Sequence, residues 1–303
     1  MIEQGVLYLC CGTLHAAHLI VSIASLKRHC KGPIAIVADA VGMPLAERIA
    51  ADPWLGSGAG VTAISLPATI PATTRSECLI AKTALPRLSP FANTAYLDCD
   101  TLVVDKIHRL FATRPEQVRL TNFACLTTRS RKIRTRIYPW QPYEPQQVAR
   151  ILAGNWLAIN TGVMAWGPES RPFTDAWREL ATRSAELGDD EIAAQIVYPS
   201  HDFRILPWYY NASVAYDTHR DPGPVKIWHG HAGRFLKRPT GRKLWLPVFA
   251  EAIERNYADI RSLPFDSRCR QPEPKQPPVK PRRHRVQTSR SVVFKFRLRK
   301  IAR

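Results

Sequence analysis

The stretch Thr94-Ala-Tyr-Leu-Asp-Cys-Asp-Thr-Leu-Val-Val104 decides how this chain is interpreted. Two apolar runs enclose the carboxylates Asp98 and Asp100, so the segment predicts either a polar turn between two buried strands or a cation site. Carboxylate oxygens are the ligands that Mg²⁺ and Mn²⁺ prefer, and such ions commonly lie between protein carboxylates and a substrate diphosphate. Because an Asp-x-Asp pattern is short, the choice depends on the rest of the sequence.

Length and composition predict a globular protein with one large α/β domain or two small ones. The chain has 303 residues, of which 45% are hydrophobic, and no apolar run is long enough to span a bilayer. The first apolar run, from residue 6 to residue 11, is too short for a signal peptide and predicts a buried strand. Seven cysteines without a Cys-x-x-Cys pair indicate neither a disulfide framework nor a zinc site. We therefore expect a cytoplasmic protein.

The charge is concentrated at the C-terminus. The formal charge is +18, and residues 268–303 alone contain 13 Lys or Arg against one acid. The charge of the body of the chain therefore gives little support to a nucleic-acid-binding function. We predict a folded domain over residues 1–265, a disordered Pro-rich basic linker over 266–290, and a basic amphipathic segment over 291–303. The last segment is expected to dock on the anionic inner face of a membrane.

Strand and helix patterns alternate in the first third of the chain, which predicts a doubly wound α/β layer. The predicted strands are Val6–Cys11, Pro33–Ala38 and Val61–Leu66, and the predicted helices are His15–His29, Pro44–Ala51 and Arg75–Leu88. Ligands in such sheets bind beyond the carboxyl ends of the strands. Gly12-Thr13, Asp39 and Asp98 all follow predicted strands, so we expect them to line one crevice.

The rest of the body continues the mixed pattern. It predicts strands over Val118–Leu126, Trp156–Trp166, Arg204–Tyr210 and Val225–Trp228, and helices over Asp105–Phe111, Ser170–Leu187 and Glu191–Tyr198. The fold class that we expect is a mixed, mainly parallel α/β sheet flanked by helices.

The segment from Tyr96 to Phe111 resembles the metal-binding strand of the retaining GT-A-fold glycosyltransferases of the glycogenin and lipopolysaccharide-galactosyltransferase group. Patches of similarity extend over most of residues 5–240, in the order that this family has. The resemblance implies a Rossmann-like GT-A fold, a nucleoside-diphosphate sugar donor (UDP-linked), a hydroxyl acceptor and Mn²⁺ or Mg²⁺ as cofactor. It also implies hexose transfer with retention at the anomeric carbon.

The resemblance assigns the nucleotide and the diphosphate to two groups of residues. The loop containing Cys11, Gly12, Thr13 and His15 corresponds to the loop that holds the base and ribose in this family, with His15 in the place of an aromatic residue. Lys82 lies 16 residues before Asp98, at the position of a basic residue that reaches the sugar nucleotide. Arg75 is a second candidate on the same predicted helix. Asp39 is a further candidate because it follows a strand.

The donor sugar is assigned to two other segments. Asn160-Thr161-Gly162-Val163 resembles the family's Asn-Ser/Ala-Gly-Val, whose Asn contacts the sugar. Gly188-Asp189-Asp190-Glu191 resembles the acidic segment beneath the sugar, with Glu191 in the place of a glutamine. Asp189 and Asp190 could equally be helix N-caps.

The third metal ligand is assigned to a histidine at the end of the predicted strand Val225–Trp228. His229 fits best, and His231 is the alternative because the loop that follows is longer than in the family. Gly233 and Lys237 then correspond to residues that close over the diphosphate. The acceptor side is expected in the loop Arg129–Tyr143 and near Tyr210-Asn211.

Two other functions remain open. A sugar nucleotidyltransferase would share a similar sheet, but it would show a Gly-rich basic loop after the first strand, and residues 11–15 contain one glycine and no Lys or Arg. A catalytically inactive body that positions the basic tail on a membrane or on RNA is the second alternative. The complete set of acidic, basic and histidine candidates argues against it.

Overall fold

The computed structural model describes residues 2–56, 60–111, 114–130, 145–183, 190–215, 224–231, 235, 237–255 and 257–259. The strands are β1 (Ile2–Cys10), β2 (Ile34–Ala38), β3 (Val61–Ser65), β4 (Phe91–Leu97), β5 (Thr101–Val103), β6 (Val118–Thr127), β7 (Leu157–Trp166), β8 (Phe203–Leu206), β9 (Ala212–Ser213) and β10 (Ile227–His229). The helices are α1 (Ala16–His29), α2 (Met43–Ala51), α3 (Arg75–Lys82), α4 (Leu85–Leu88), α5 (Pro145–Ala153), α6 (Arg171–Arg183), α7 (Asp190–Val197) and α8 (Pro239–Arg255). Short 3₁₀ turns cover His108–Leu110, Tyr198–Ser200 and Trp208–Tyr210.

The main sheet has seven strands in the order β3-β2-β1-β4-β7-β6-β8. The first four strands of this order run parallel to one another, whereas β7 is antiparallel to both of its neighbours, and β8 is parallel to β6. Strand β2 is buried along its whole length, as expected for a parallel strand that is covered on both faces. The mixed, mainly parallel α/β fold that the sequence predicts is confirmed.

A second sheet of three strands, in the order β5-β10-β9, lies on one side of the main sheet. Strand β10 is antiparallel to β5 and parallel to β9. Because β5 follows β4 after only three residues, this small sheet carries β10 to the carboxyl end of β4. That position determines the site described below.

Apolar side chains fill both faces of the main sheet. One cluster joins α1, α2, the small sheet and α8 and contains Ile20 and Trp245, while the other joins α3, α6 and α7 and contains Phe173 and Trp177. Burial of each such side chain contributes about 1.5–3 kcal/mol or more to folding. Helices therefore flank the sheet on both faces.

The prediction of one continuous helix over Arg75–Leu88 is wrong, because the structure has two helices there. Helix α3 begins with a capping box, in which Thr74 Oγ1 accepts from the backbone N–H of Glu77 (3.2 Å) and the Glu77 carboxylate accepts from that of Thr74 (2.9 Å). It ends at Lys82, and α4 starts with Pro86 in its first turn, where the missing N–H of proline leaves no bond unmade. The break leaves Lys82 as the last residue of α3.

Three further predictions need correction. The helix predicted over Asp105–Phe111 is only a 3₁₀ turn, and the strand predicted over Arg204–Tyr210 ends at Leu206 because Pro207 has no N–H to donate to a neighbouring strand. Helix α7 begins at Asp190, one residue before the predicted start. The sequence patterns also missed α5, α8 and β9. The other predicted elements agree to within a few residues at their ends.

Several predictions lie outside the described residues. They are Asp189, Gly233, residues 131–143 of the loop proposed for the acceptor, and the linker and tail from residue 266 onward. Among the helices that the structure describes, none is long and apolar enough to cross a membrane.

Candidate functional site

Asp98 and Asp100 lie on a tight turn between β4 and β5. The Asp98 carbonyl accepts from the backbone N–H of Thr101 (3.2 Å) and from its hydroxyl (2.8 Å). The Cys99 thiol donates to the Leu9 carbonyl of β1 (3.0 Å), and Gly230 N donates to the Asp100 carbonyl (2.7 Å). Bonds to the main sheet and to the end of β10 thus fix the turn, and both carboxylates project from a rigid backbone.

His229 reaches this turn through strand pairing. The antiparallel register of β10 with β5 places His229 opposite Thr101, beside Asp100. Its Nε2 is 3.1 Å from Asp100 Oδ1 and 3.7 Å from Asp98 Oδ2. One potential ligand atom from each of these three residues lies within 4.8 Å of the others. Carboxylate oxygens and an imidazole nitrogen this close together are ligands that a divalent cation such as Mn²⁺ or Mg²⁺ accepts.

The three residues carry opposite charges in a buried place. Burial disfavours the charged forms of Asp100 and His229, but their mutual attraction outweighs it. The pKa of Asp100 is therefore held well below its usual range, and the Asp100 carboxylate raises the pKa of His229 above its ordinary value.

A chain of amides sets the tautomer of His229. The Glu191 carboxylate can only accept, so Asn160 points its Nδ2 at Glu191 Oε2 (2.6 Å) and turns its Oδ1 toward Asn211. Asn211 Nδ2 donates to that oxygen (2.7 Å), and Asn211 Oδ1 lies 2.9 Å from His229 Nδ1. His229 Nδ1 must then be the donor. Its Nε2 is left to face the carboxylates, which is the arrangement required of a metal-binding histidine.

Gly162 leaves the space in which these groups meet. It lies on β7, and its carbonyl accepts from the backbone N–H of Asp98 (2.8 Å). A Cβ atom at this position would lie 2.2 Å from His229 Cε1 and 2.8 Å from Asp98 Oδ2. Only glycine allows β7 to pass this close to both side chains. Steric crowding by His229 and Asp98 thus explains why a glycine stands in the Asn-Thr-Gly-Val segment.

Lys82 is buried between two carboxylates. Its Nζ lies 3.1 Å from Asp98 Oδ1 and 3.4 Å from Asp190 Oδ2, and its side chain is 6% exposed. Burial lowers the pKa of Lys82, but Asp190 and Asp98 outweigh that effect and raise it, so the ammonium stays charged. Thr161 and Tyr96 complete the network, since Thr161 Oγ1 donates to Asp190 (2.7 Å) and the Tyr96 hydroxyl donates to Asp98 (2.6 Å).

Backbone contacts hold the loop after β1. Gly12 has a positive φ of 64°, and its N–H donates to Asp39 Oδ1 (2.9 Å), which also accepts from Gly42 N (2.7 Å). Asp39 therefore ties the ends of β1 and β2 together. Cys11 is half-buried and Thr13 is exposed on this loop. His15 precedes α1, and its interaction with Asp100 is one of the smaller causes that lower the pKa of that carboxyl.

We call Asp98, Asp100 and His229, together with the side chains that hold them, the metal end of the site. The nucleotide end is the loop of residues 11–15 with Asp39, and both names follow the roles that the sequence predicts for these residues. The two ends lie at the carboxyl edges of the neighbouring strands β2, β1 and β4, as the crevice prediction requires.

Other predicted residues lie outside this cluster. Arg75 is exposed at the start of α3, and Lys237 is exposed before α8. His231 has a positive φ of 44° and stacks on the His229 ring with centroids 3.9 Å apart. The group of carboxylate and histidine ligand atoms includes His229 and not His231.

Sequence reasoning missed the supporting roles of Tyr96, Thr161 and Asn211. Asn211 had been expected near the acceptor, but it lies between Asn160 and His229. An asparagine directly after a predicted strand was the available signal.

Comparison with known proteins identifies the fold. No protein-family model matches the chain, and no curated protein matches it by sequence. Solved structures do match. The galactosyltransferase LgtC, in complex with donor and acceptor sugar analogues, is 15% identical with a TM-score of 0.56, over 82% of this chain and 95% of LgtC. Mouse xyloside xylosyltransferase 1 in its apo form is 17% identical with a TM-score of 0.52, over 76% of this chain and 98% of the enzyme.

A third similar structure is the apo form of the glycosyltransferase GlyE from Streptococcus pneumoniae TIGR4. It is 16% identical with a TM-score of 0.57, over 89% of this chain and 66% of GlyE. At such identities the similarity establishes the fold. The chain has the GT-A fold of these glycosyltransferases, and the resemblance to the group that includes the lipopolysaccharide galactosyltransferases is confirmed at that level.

Proposed function

We propose that this protein is a metal-dependent glycosyltransferase. It would move a hexose from a nucleoside-diphosphate sugar, most simply a UDP-sugar, to an acceptor hydroxyl with retention at the anomeric carbon. The observation that carries the proposal is the convergence of Asp98, Asp100 and His229 at the strand edge where GT-A folds bind ligands. The glycosyltransferase activities named for the similar structures support it.

The residues at the metal end fit Mn²⁺ or Mg²⁺. Two carboxylates and one imidazole are ligands that Mn²⁺ accepts, and the Nδ1 contact with Asn211 leaves Nε2 directed at the carboxylates. Gly162 keeps the position beside His229 and Asp98 open. A bound ion would act as a Lewis acid on the diphosphate of the donor.

The other residues have separate roles in the proposal. Lys82 holds Asp98 in place and supplies positive charge close to the leaving diphosphate. Asn160 and Glu191, which are hydrogen-bonded to each other, position the sugar together with Asp190. Asp189, Gly233, Lys237 and Arg75 are further candidates for donor contacts. The nucleotide end, residues 11–15 with Asp39, would hold the base and the ribose.

The substitution Asp100→Asn tests the proposal. The amide keeps the shape of the side chain but removes the charge that a cation needs. We expect transfer or hydrolysis of a UDP-sugar in Mn²⁺ to fall at least about 100-fold while the circular dichroism spectrum stays unchanged. Asp175→Asn is the matched control, because Asp175 is an exposed carboxylate that pairs with Arg87. Full metal-dependent activity in Asp100→Asn would refute the metal assignment.

The same assay separates the rival functions. If the unmodified protein acts on no sugar nucleotide across a donor panel, an inactive binding protein that works through its basic tail is favoured. If it forms a sugar nucleotide from a sugar phosphate and a nucleoside triphosphate, a nucleotidyltransferase is favoured. The loop over residues 11–15 contains one glycine and no Lys or Arg, which argues against the latter.

The C-terminal segment is part of the proposal. We propose that residues 291–303 dock on an anionic membrane surface on the cytoplasmic side, where the acceptor could be lipid-linked. Flotation with anionic liposomes should be lost in a chain truncated after Cys269. Equal flotation of the full and truncated chains would exclude this role.

A further inference from the structure

A cavity lies at the end of the main sheet opposite the candidate site. It has a volume of about 250 Å³ and lies between three segments of the chain. They are the start of β1 (residues 4–6), the connection from α1 to β2 (residues 29–33), and the segment after β5 (residues 106–108 with Phe111). The first two segments form the amino ends of β1 and β2, whereas the candidate site lies at the carboxyl ends of the strands. The cavity is therefore separate from that site.

Basic side chains dominate the lining of this cavity. Four of them contribute to it, namely His29, Lys31, Lys106 and His108. Among the described residues that line it, none is an aspartate or a glutamate. In the part of the chain that the structure describes, none of the four basic residues forms an ion pair. The cavity thus has the charge of an anion site.

The acidic residue next to the cavity, Asp105, is bound elsewhere. Its Oδ2 accepts from Lys226 Nζ, and its Oδ1 accepts from the backbone N–H of Lys106 (2.6 Å). The bond from Lys226, followed by that from Lys106 N, lowers the pKa of Asp105, so the carboxylate stays charged and paired. The ammonium groups of Lys31 and Lys106 therefore remain available to an anion.

The inner wall of the cavity is apolar. Val6 and Ile107 are buried there and Phe111 is half-buried, whereas Lys31 and Lys106 are exposed. Ligand sites typically combine apolar walls with a few charged or polar groups that fix the ligand, in volumes of about 300–1,000 Å³. A cavity of about 250 Å³ lies just below that range, so it fits a compact molecule and is too small for a nucleotide sugar.

We propose that this cavity binds a small soluble phosphate monoester. A lysine ammonium binds phosphate as a compact point charge, and its hydrogen bonds to a charged acceptor are roughly twice as strong as neutral ones. Lys31 and Lys106, which belong to different segments, would contact the phosphate, and the apolar wall would cover the carbon skeleton of the ester. This binding is independent of the proposed function, because the lining includes no residue of the metal end or the nucleotide end.

Cys30 can report whether the cavity is occupied. Its side chain is half-buried in the lining, and its Sγ lies 3.6 Å from the position that a Cβ atom would take on Gly32, which also lines the cavity. Cys78 is equally half-buried, but it lies on α3 and does not line the cavity. Because a thiol reacts only where the reagent reaches it, a bound ligand should slow the alkylation of Cys30 alone.

The first measurement compares the alkylation of these two thiols in the full-length protein. Iodoacetamide is added at an ionic strength of about 0.15 M, which screens nonspecific attraction to the basic tail. Peptide mapping by mass spectrometry gives the rate at each cysteine. Saturating inorganic phosphate or glycerol 3-phosphate should slow Cys30 at least about 5-fold and leave Cys78 unchanged. Glycerol at the same concentration is the uncharged control and should protect neither thiol.

The second measurement tests the two lysines. In the double variant Lys31→Gln/Lys106→Gln, affinity for glycerol 3-phosphate, measured by equilibrium dialysis, should fall at least about 10-fold, because two charged hydrogen-bond donors are lost. Both side chains are exposed, so the circular dichroism spectrum should stay unchanged. Arg242→Gln/Lys243→Gln is the matched control, since it removes two exposed charges from α8 that do not line the cavity, and it should bind as the parent does.

Each outcome counts for or against the phosphate site. Protection of Cys30 that disappears in the double lysine variant supports it. Equal alkylation of Cys30 with and without both phosphate compounds overturns it, and so does parent-like affinity in the double lysine variant. Protection by vesicles that contain phosphatidic acid, without protection by either soluble compound, overturns the soluble ligand in favour of a lipid headgroup. No sugar nucleotide takes part in these measurements, so failure of the proposed function would not affect them.

Discussion

At the metal end of the site, buried side chains hold one another in place. At the nucleotide end, hydrogen bonds from backbone N–H groups fix the conformation of the loop. His229 and Lys82 are almost fully buried and contact Asp100, Asp98 and Asp190. At the nucleotide end, by contrast, the fixed bonds run from the backbone N–H groups of a glycine-containing turn to a single carboxylate, and Cys11 and Thr13 remain accessible.

This difference shows which end tolerates change. Buried charges are stable only when each has its partner, and removal of one partner costs about 3–5 kcal/mol. The metal end is therefore expected to respond strongly to single substitutions. The nucleotide end depends on φ and ψ angles and on open space, so we expect its variants to lose little stability and to change the shape of the loop. Three substitutions test the contrast.

The largest effect is expected from Gly162→Ala. Its Cβ would overlap His229 Cε1 at 2.2 Å and must displace that ring or β7. We expect Mn²⁺ affinity, measured by electron paramagnetic resonance, to fall about 100-fold or more, with a loss of about 1–3 kcal/mol in the free energy of unfolding. Gly12→Ala is the matched control. Nothing lies within 4 Å of its Cβ, but φ is 64°, so it should cost about 1–2 kcal/mol of stability and leave Mn²⁺ affinity unchanged.

If Gly12→Ala lowers Mn²⁺ affinity as much as Gly162→Ala does, the two ends are not separate. If Gly162→Ala leaves Mn²⁺ affinity intact, the close approach of β7 has no functional consequence.

A smaller effect is expected from Asn211→Leu. Leucine has a similar volume, but it cannot accept from His229 Nδ1 or donate to Asn160 Oδ1, so the tautomer of His229 is no longer fixed. We expect Mn²⁺ affinity to fall about 10–100-fold, as for other residues that orient a metal-binding histidine. Asn93→Leu, on strand β4 away from the site, should leave it unchanged. Parent-like affinity in Asn211→Leu would show that His229 is oriented without this amide.

The third effect is on stability alone and concerns a second histidine behind the metal end. His18 is buried against Trp245, and burial lowers its pKa to about 4. Below about pH 6.5 the unfolded chain protonates this ring while the folded chain does not, so stability is lost as the pH falls toward 4, by up to about 1.4 kcal/mol per unit. In His18→Leu, chemical denaturation at several pH values should show a flatter dependence between pH 6.5 and pH 4.

The exposed His108 gives the control for this measurement. His108→Leu should retain the pH dependence of the parent protein. If His18→Leu retains it as well, burial does not keep the His18 ring neutral. The contrast with His229, whose pKa is raised, would then disappear.

The sequence predicted much of this arrangement because the signals are local. Alternating apolar and polar segments located most of the strands, and the acidic pair between two apolar runs located the turn at Asp98. Where a proline or a cap changed the local geometry, the prediction failed, as at Pro207 and at the end of α3. Helix α8 was missed because its sequence, with Pro247 inside, has a weak amphipathic pattern.

By itself, therefore, the sequence determined the fold class, the strand ends that carry polar residues, and the candidates for the metal end. Only the tertiary structure decided that His229 meets Asp100 and that Asn211 connects Asn160 to His229. These contacts join residues that are 18, 51 and 129 positions apart in the chain. Strand register and helix packing create them, and no local pattern of residues encodes a distance across a sheet.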